Sequence, residues 1–393
     1  MNSELLKAVS KNKLSKVKEL IQKGADIREK DDFGRTVLHS ASQSDSLDII
    51  RHLIEELQFN VNEKDHNDET ALHSACVNGR LETVKYLVEK GADVNALVRA
   101  RTDGNSPLDI ACFKGFHEIA EYLINKGADI FRKDGNGWTF LFTACEGGNL
   151  DIVKLLIDKG LNINAKTEDG RTLLFEACQH GHLHLLEYLL SLGLDINAKT
   201  KEDLTLLHYG CQGGNIELIK FLYNKGLDIN AVTKDGQTPL YIASGCGNLQ
   251  LVKFLTENGA DIQKADSGGK TSLSNAGSVN YLDVVRFLHE KGALLNDELL
   301  ISCADRGYDE LAEYVLKNGM NANVKNTEGW TALHFASENG YSSKMIQLLI
   351  DYHTDINSKV QSGEKKGYTA LKLAKENEHK EIIKILNKCG AEE

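Results

Sequence analysis

The sequence predicts an all-α solenoid with β-hairpin-like loops, an array of about twelve stacked helix-turn-helix units. Three observations carry that expectation. Ser106 and the threonines at 139, 172, 205, 238 and 271 follow one another at intervals of 33 residues. Each opens a near-copy of one segment, seen in full as Thr139-Phe140-Leu141, Ala144-Cys145, Gly148, Ile152-Val153, Leu155-Leu156, Gly160 and Asn162-Ile163-Asn164. No Pro-rich or Ser-rich linker interrupts the 393 residues, and the two prolines stand at 107 and 239. A fixed period of this length describes small units, none of which can bury its apolar face alone.

Within one period, Thr139 precedes a short apolar stretch that stops at Gly147-Gly148, which reads as a two-turn helix capped by Thr and ended by Gly. Leu150, Ile152, Val153, Leu155, Leu156 and Ile157 then recur at helical spacing, with Asp151 early and Lys154 and Lys159 late, and Gly160 ends this second helix. Asn162 to Gly170 reads as an extended segment and a tight turn. The same reading along the chain gives a single array over 1–393. Residues 1–31 form a Lys-rich N-terminal capping unit, 32–358 are internal repeats with a shortened unit near 293–325, and 359–393 form a C-terminal capping unit.

The marker segments are Thr36-Val37-Leu38-His39-Ser40-Ala41, Thr70-Ala71-Leu72-His73-Ser74-Ala75 and Thr331-Ala332-Leu333-His334-Phe335-Ala336, joined by Gly91-Ala92-Asp93-Val94-Asn95-Ala96. They resemble the T-P-L-H-x-A signature of ankyrin repeats, and the resemblance extends over nearly the whole chain. It implies a curved stack whose hairpin tips and first helices form a concave groove. It implies little about the partner, because such stacks bind many unrelated proteins.

The net charge of −11 argues against broad nucleic-acid binding, which needs basic surface against phosphate. No apolar run approaches the length of a membrane span, and the first residues lack the apolar core of a secretory signal. These features point to a cytosolic or nuclear protein, or an exported effector. Cys76, Cys112, Cys145, Cys178 and Cys211 share one slot that elsewhere holds Ser42, Ser244 and Ser337, which marks them as small buried filler. The repetition of His39, His73, His208 and His334 at one slot suggests hydrogen bonds that tie hairpins to helices. Asn95, Asn164, Asn197 and Asn230 read as turn-stabilising side chains. His180-Gly181-His182-His184 lacks the supporting ligands of a metal site, and no catalytic set stands apart from the repeat. No enzyme activity, cofactor or metal is expected.

Functional information lies where the period breaks. The interval from Thr70 to Ser106 is 36, with the extra residues in Leu97–Asp103, and that from Thr331 to Thr369 is 38, with the extra residues in Ser358–Lys366. Both insertions are basic, and Arg99, Arg101, Lys365 and Lys366 are candidate contacts to acidic patches of a partner, against the plainer reading of solvated loops. From Thr271 to Thr331 is only 60 residues, where two periods need 66; the loop from Ala293 replaces a full hairpin, and a weak junction is expected over 265–305. The chain's two tryptophans, Trp138 and Trp330, and Tyr368 occupy one tip slot just before the marker Thr, either as partner anchors or as local packing between tips. Phe33 and Phe113 are further aromatic candidates, and Arg171, Gln179 and His180 belong to the centre of the expected groove. The reading reached is a monomeric, non-enzymatic scaffold or adaptor that binds a protein partner in its groove. The alternative is an effector or regulatory inhibitor that blocks an enzyme sterically.

Overall fold

A computed structural model of the chain describes residues 4–99 and 105–393. Among the described residues it contains 24 α-helices in twelve consecutive pairs and no β-strand; isolated bridges at Ala265–Thr271 and Lys325–Thr331 mark hairpin tips. The helices gather in two compact bodies, Met1–Lys201 and Glu202–Glu393.

The marker threonine precedes most first helices with an extended backbone. At Thr36, Thr238, Thr271, Thr331 and Thr369 its hydroxyl accepts an amide of the first turn, as Thr36 does from Leu38 and Thr331 from His334, whereas the Thr139 and Thr172 hydroxyls are buried without such a bond. Pro107 and Pro239 sit at the first helical position, where no amide is needed. Second helices such as Leu150–Asp158 begin at Asn149, whose side chain accepts the Ile152 amide. Leu141, Ala144, Cys145, Ile152, Val153 and Leu156 are all fully buried between the paired helices and their neighbours. Such burial is worth about 1.5–3 kcal/mol for each large side chain. Each first helix packs on the first helix of the next repeat within its body, for example Val37–Gln43 on Ala71–Val77 and Pro239–Gly245 on Ser272–Ser278. At Gly147 the approach is so close that a Cβ would lie 2.2 Å from the Phe113 carbonyl oxygen, so only glycine fits.

Departures from the 33-residue period have distinct structural forms. The extra residue between Thr36 and Thr70 is absorbed by a π-helical turn, His52–Glu56, at the end of the second helix rather than by the hairpin. The deficit between Thr271 and Thr331 falls entirely on the hairpin. Both helices of that repeat are intact, and the first, Asp297–Arg306, is ten residues long, with Asp297 and Glu298 in its first turn. The expected shortened unit is therefore a complete helix pair that has lost its finger.

The histidine slot links one repeat to the next. In the first body the Thr70 amide donates to His73 Nδ1 at 3.1 Å, which leaves the proton on Nε2 to donate to the Ala96 carbonyl at 3.1 Å. His39 makes the same link to Glu69, His208 to Gln237 and His334 to Ser358. Burial lowers the affinity of the His39, His73 and His334 rings for a second proton, to a value of about 4 at His73. Two of the slot asparagines reach across to the next repeat rather than within their own turn. Asn95 donates to Gly127 O and accepts from Asp129 N, and Asn230 bonds Gly259 O and Asp261 N likewise. The five slot cysteines are buried and unpaired, and burial pushes their thiols upward.

Candidate protein-interaction surface

The first body carries a cleft of about 540 Å³ across the first helices Pro107–Lys114 and Phe140–Glu146 and the tip that joins them. Phe113 forms part of its wall and is 44 % exposed. Trp138 forms another part; its indole is half-buried, donates from Nε1 to Thr143 Oγ1 at 3.1 Å, and lies 5.1 Å from the Phe142 ring. Phe142 is fully buried, so the indole is seated on core. Arg132 is ion-paired to Asp109 and lies over the Phe140 ring at 5.6 Å.

Beside Trp138 the surface becomes polar. The Arg171 guanidinium stacks 5.4 Å from the indole centre and pairs with Asp169 at 2.9 Å and Glu176 at 3.2 Å. Glu176 is only 1 % exposed. Burial raises its carboxyl to about 7, against the opposing pull of Arg171, with Glu146 and Asp169 adding to the rise. His180 Nε2 stands 4.0 Å from the same carboxylate, and its ring stacks on His182, which bonds the Glu146 carbonyl. The result is an aromatic and cationic face whose central arginine is held by carboxylates and a ring. Aromatic and arginine side chains fixed in this way resemble the anchors of protein interfaces. Among the described residues, no group of three or more His, Cys, Asp or Glu side chains is arranged to hold a metal ion.

The structure thus brings together Phe113, Trp138, Arg171 and His180, with half-buried Gln179 on the same helix end. The other candidates lie elsewhere. Phe33 is 60 % exposed on an earlier tip, under the Arg35 guanidinium. Arg99 is exposed and pairs with Asp68 at 3.1 Å, and Arg101 lies outside the described residues. Trp330 as an accessible anchor is corrected: it is 7 % exposed and packs with Val360, Leu373, Phe335 and Tyr368. The physical reason is the insertion itself, which is not only a solvated finger. It delivers Val360 onto Trp330 and closes by Val360 N to Tyr368 O and Gly367 N to Val360 O bonds. Tyr368 is half-buried, with Lys372 Nζ 3.9 Å and Lys365 Nζ 5.1 Å from its ring centre. Lys365 is also paired with Glu376, so its charge is engaged within its own repeat, whereas Lys366 is exposed.

Arg132, Asp109 and Glu176 were not singled out in the sequence. A signal was present for Glu176: it stands four residues after the marker Thr, where Ser40, Ser74, Thr143 and Tyr209 stand in other repeats. Asp109 similarly replaces the marker histidine, and Arg132 reaches it from the following hairpin.

A family model for ankyrin repeats matches residues 5–98, 108–200, 207–298 and 299–393. An ankyrin repeat protein of Rickettsia bellii is 30 % identical over 90 residues, covering 23 % of this chain and 38 % of the relative. One from Rickettsia felis is 36 % identical over 84 residues, 21 % of each chain. The mouse protein fem-1 homolog A-like is 36 % identical over 90 residues, 22 % of this chain and 12 % of its own length. The matches thus span well under half of each relative. Among the described residues no helix is long and apolar enough to cross a membrane. With the repeat model matching almost end to end and the marker Thr–His links in place, the chain belongs to the ankyrin-repeat family.

Proposed function

We propose that the chain is a non-enzymatic scaffold or adaptor that binds a protein partner through the Phe113–Trp138–Arg171 surface. The observation that carries this reading is that an exposed phenyl ring and a seated indole line one cleft, and an arginine clamped by Asp169 and Glu176 stacks on that indole beside it. Ankyrin repeats generally serve as protein-interaction modules, which supports a protein as the occupant. Because the clamp is formed before binding, little side-chain freedom is lost on association. The exposed Phe113 ring and the Trp138 indole in the cleft favour a partner segment that brings an apolar residue to it.

The test is affinity capture from cytosol with the wild type and with the Phe113→Ser/Trp138→Ala double variant. At least a tenfold loss of the captured partner is expected, since hot-spot truncations each cost about 2 kcal/mol or more. Equal capture by the double variant would remove this surface from consideration. If the recovered partner is an enzyme whose activity falls on titration with the chain, steric blockade replaces tethering as its role.

A further inference from the structure

The hairpin tips form a backbone ladder. In seven places the amide four residues before one marker position, or its counterpart in an insertion, donates to the carbonyl of the preceding tip. The bonds are His66 to Phe33, Arg99 to Asn67, Glu168 to Asn136, Lys201 to Asp169, Lys234 to Glu202, Ser267 to Asp235 and Gln361 to Glu328, at 2.6–3.1 Å. Glycines beside these bonds are covered by the next tip: a Cβ on Gly236 would lie 3.2 Å from Ser267 N, and one on Gly329 would lie 2.5 Å from Gln361.

In the 202–393 body the ladder is cut where the hairpin between Gly292 and Asp297 is missing. Among the described residues, the carbonyl of Gly268 receives no backbone amide, and the Thr327 amide, next in register, finds no backbone carbonyl. Nothing lies within 4 Å of a Cβ on Gly269. Ser267, Gly268, Gly269 and Lys270 are all exposed. The marker histidine is missing in the same repeat: Ser274 takes its place, and Asn296 Nδ2 bonds the Ser274 hydroxyl at 3.1 Å. The opposite edge of that amide, Asn296 Oδ1, is buried with no donor. Under the gap a cleft of about 240 Å³ extends from Lys270 and Ser274 past Asn296 to Phe335, and Leu294 of the shortened loop is 73 % exposed.

We infer that this gap receives an acidic β-turn loop of a protein partner, which takes the place of the missing finger. The occupant must be a turn, because a single tip both accepts from the tip after it and donates to the tip before it. The 167–172 tip does so through Asp169 O and Glu168 N. It must be acidic at that turn, because neighbouring tips exchange ion pairs: Lys30 with Glu63, Asp68 with Arg99, Glu202 with Lys234. Here the exposed cations Lys264, Lys270 and Lys325 belong to the tips on either side of the gap, and among the described residues no salt bridge reaches them; Glu298, Asp305 and Arg306 lie in the cleft beneath. A loop entering there gains the Gly268 carbonyl and the Thr327 amide as backbone partners, an addition of the kind by which extended peptides join open backbone edges. The site is separate from the Phe113–Trp138–Arg171 surface.

The probe is a head-to-tail cyclised, fluorophore-labelled peptide with the sequence of residues 163–173, whose turn carries Glu168 and Asp169. Titrated with the full chain at low salt, it should show saturable anisotropy with Kd below about 1 mM, and the Thr327 amide should gain hydrogen-exchange protection. Lys270→Glu should weaken binding by about fivefold or more, and a peptide with both acids changed to lysine should not bind. Grafting residues 165–170 between Leu295 and Asn296 should abolish binding by filling the gap. If that graft does not fold, the Lys270→Glu and hydrogen-exchange results still decide. Absence of saturable binding, indifference to Lys270→Glu, or an unprotected Thr327 amide would overturn the inference. The Phe113→Ser/Trp138→Ala variant should bind the peptide as the wild type does, so the two surfaces stand or fall separately.

Discussion

At the scale of single residues, Glu176 and His73 are buried ionisable groups whose effects on stability run in opposite directions with pH. The Glu176 carboxyl rises from an ordinary 4.5 to about 7 because burial penalises its charge. Its contribution is therefore fully present below 4.5 and is lost as pH rises through 7. Replacing it with a neutral isostere removes that loss. Glu176→Gln should match the wild type in melting temperature near pH 5 and exceed it by several degrees at pH 8, by differential scanning calorimetry. His73 is the reverse case. Its ring falls from 6.5 to about 4, so its contribution is complete above 6.5 and disappears as pH falls toward 4. At about 1.4 kcal/mol per pH unit the gap corresponds to about 3 kcal/mol. Urea unfolding at pH 7 and pH 4.5 should show a shallower acid loss in His73→Gln than in the wild type. Each role depends on burial, which residue identity does not reveal, and in each case the nearest partner, Arg171 for Glu176 and the Ala96 carbonyl for His73, opposes the shift.

At the scale of elements, the same tip slot does two different jobs. Trp138 lines a cleft, whereas Trp330 is closed over by Val360 from an inserted loop. Trp330→Ala should therefore cost about 3–5 kcal/mol of folding free energy, the range for large aromatic truncations in a core. Phe113→Ser, on an exposed ring, should change stability by less than about 0.5 kcal/mol. Guanidinium unfolding of both variants separates anchor from core, and equal costs would contradict the assignment. The helices themselves were legible from Thr caps, Gly stops and the 3.6-residue apolar rhythm. The π-helical turn at His52–Glu56 was not, because a one-residue excess can be absorbed anywhere between two markers. The engagement of Lys365 was not legible for a similar reason: Glu376 and Tyr368 meet it only after the loop folds back.

At the scale of the molecule, stability in a repeat stack is close to a sum of terms within repeats and between neighbours. The missing finger removes one such neighbour term, since no tip bond, histidine link or asparagine link spans it in the regular way. The first helices on either side, Ser272–Ser278 and Asp297–Arg306, still pack together. Native-state hydrogen exchange should consequently be faster across 265–305 than across 206–257 in the same body, and a uniform profile would show that helix packing alone sustains the joint. Binding of an acidic turn at the gap works against the net charge of −11 and rests on local cations, so it should weaken with salt and with Lys270→Glu.

The sequence by itself determined the ankyrin fold, the helix pairs, the slot cysteines as core filler and the location of the lost hairpin. These follow from local rules that repeat, because the same caps, glycines and apolar spacing recur every 33 residues. Only the tertiary structure decided which irregular residues meet. It joined Phe113, Trp138, Arg171 and Glu176 on neighbouring repeats, buried Trp330 beneath Val360, and left Gly268 and Thr327 without ladder partners. The physical reason is that most of these pairings connect residues about one or two periods apart, where spacing fixes proximity but not whether side chains or backbone groups find one another.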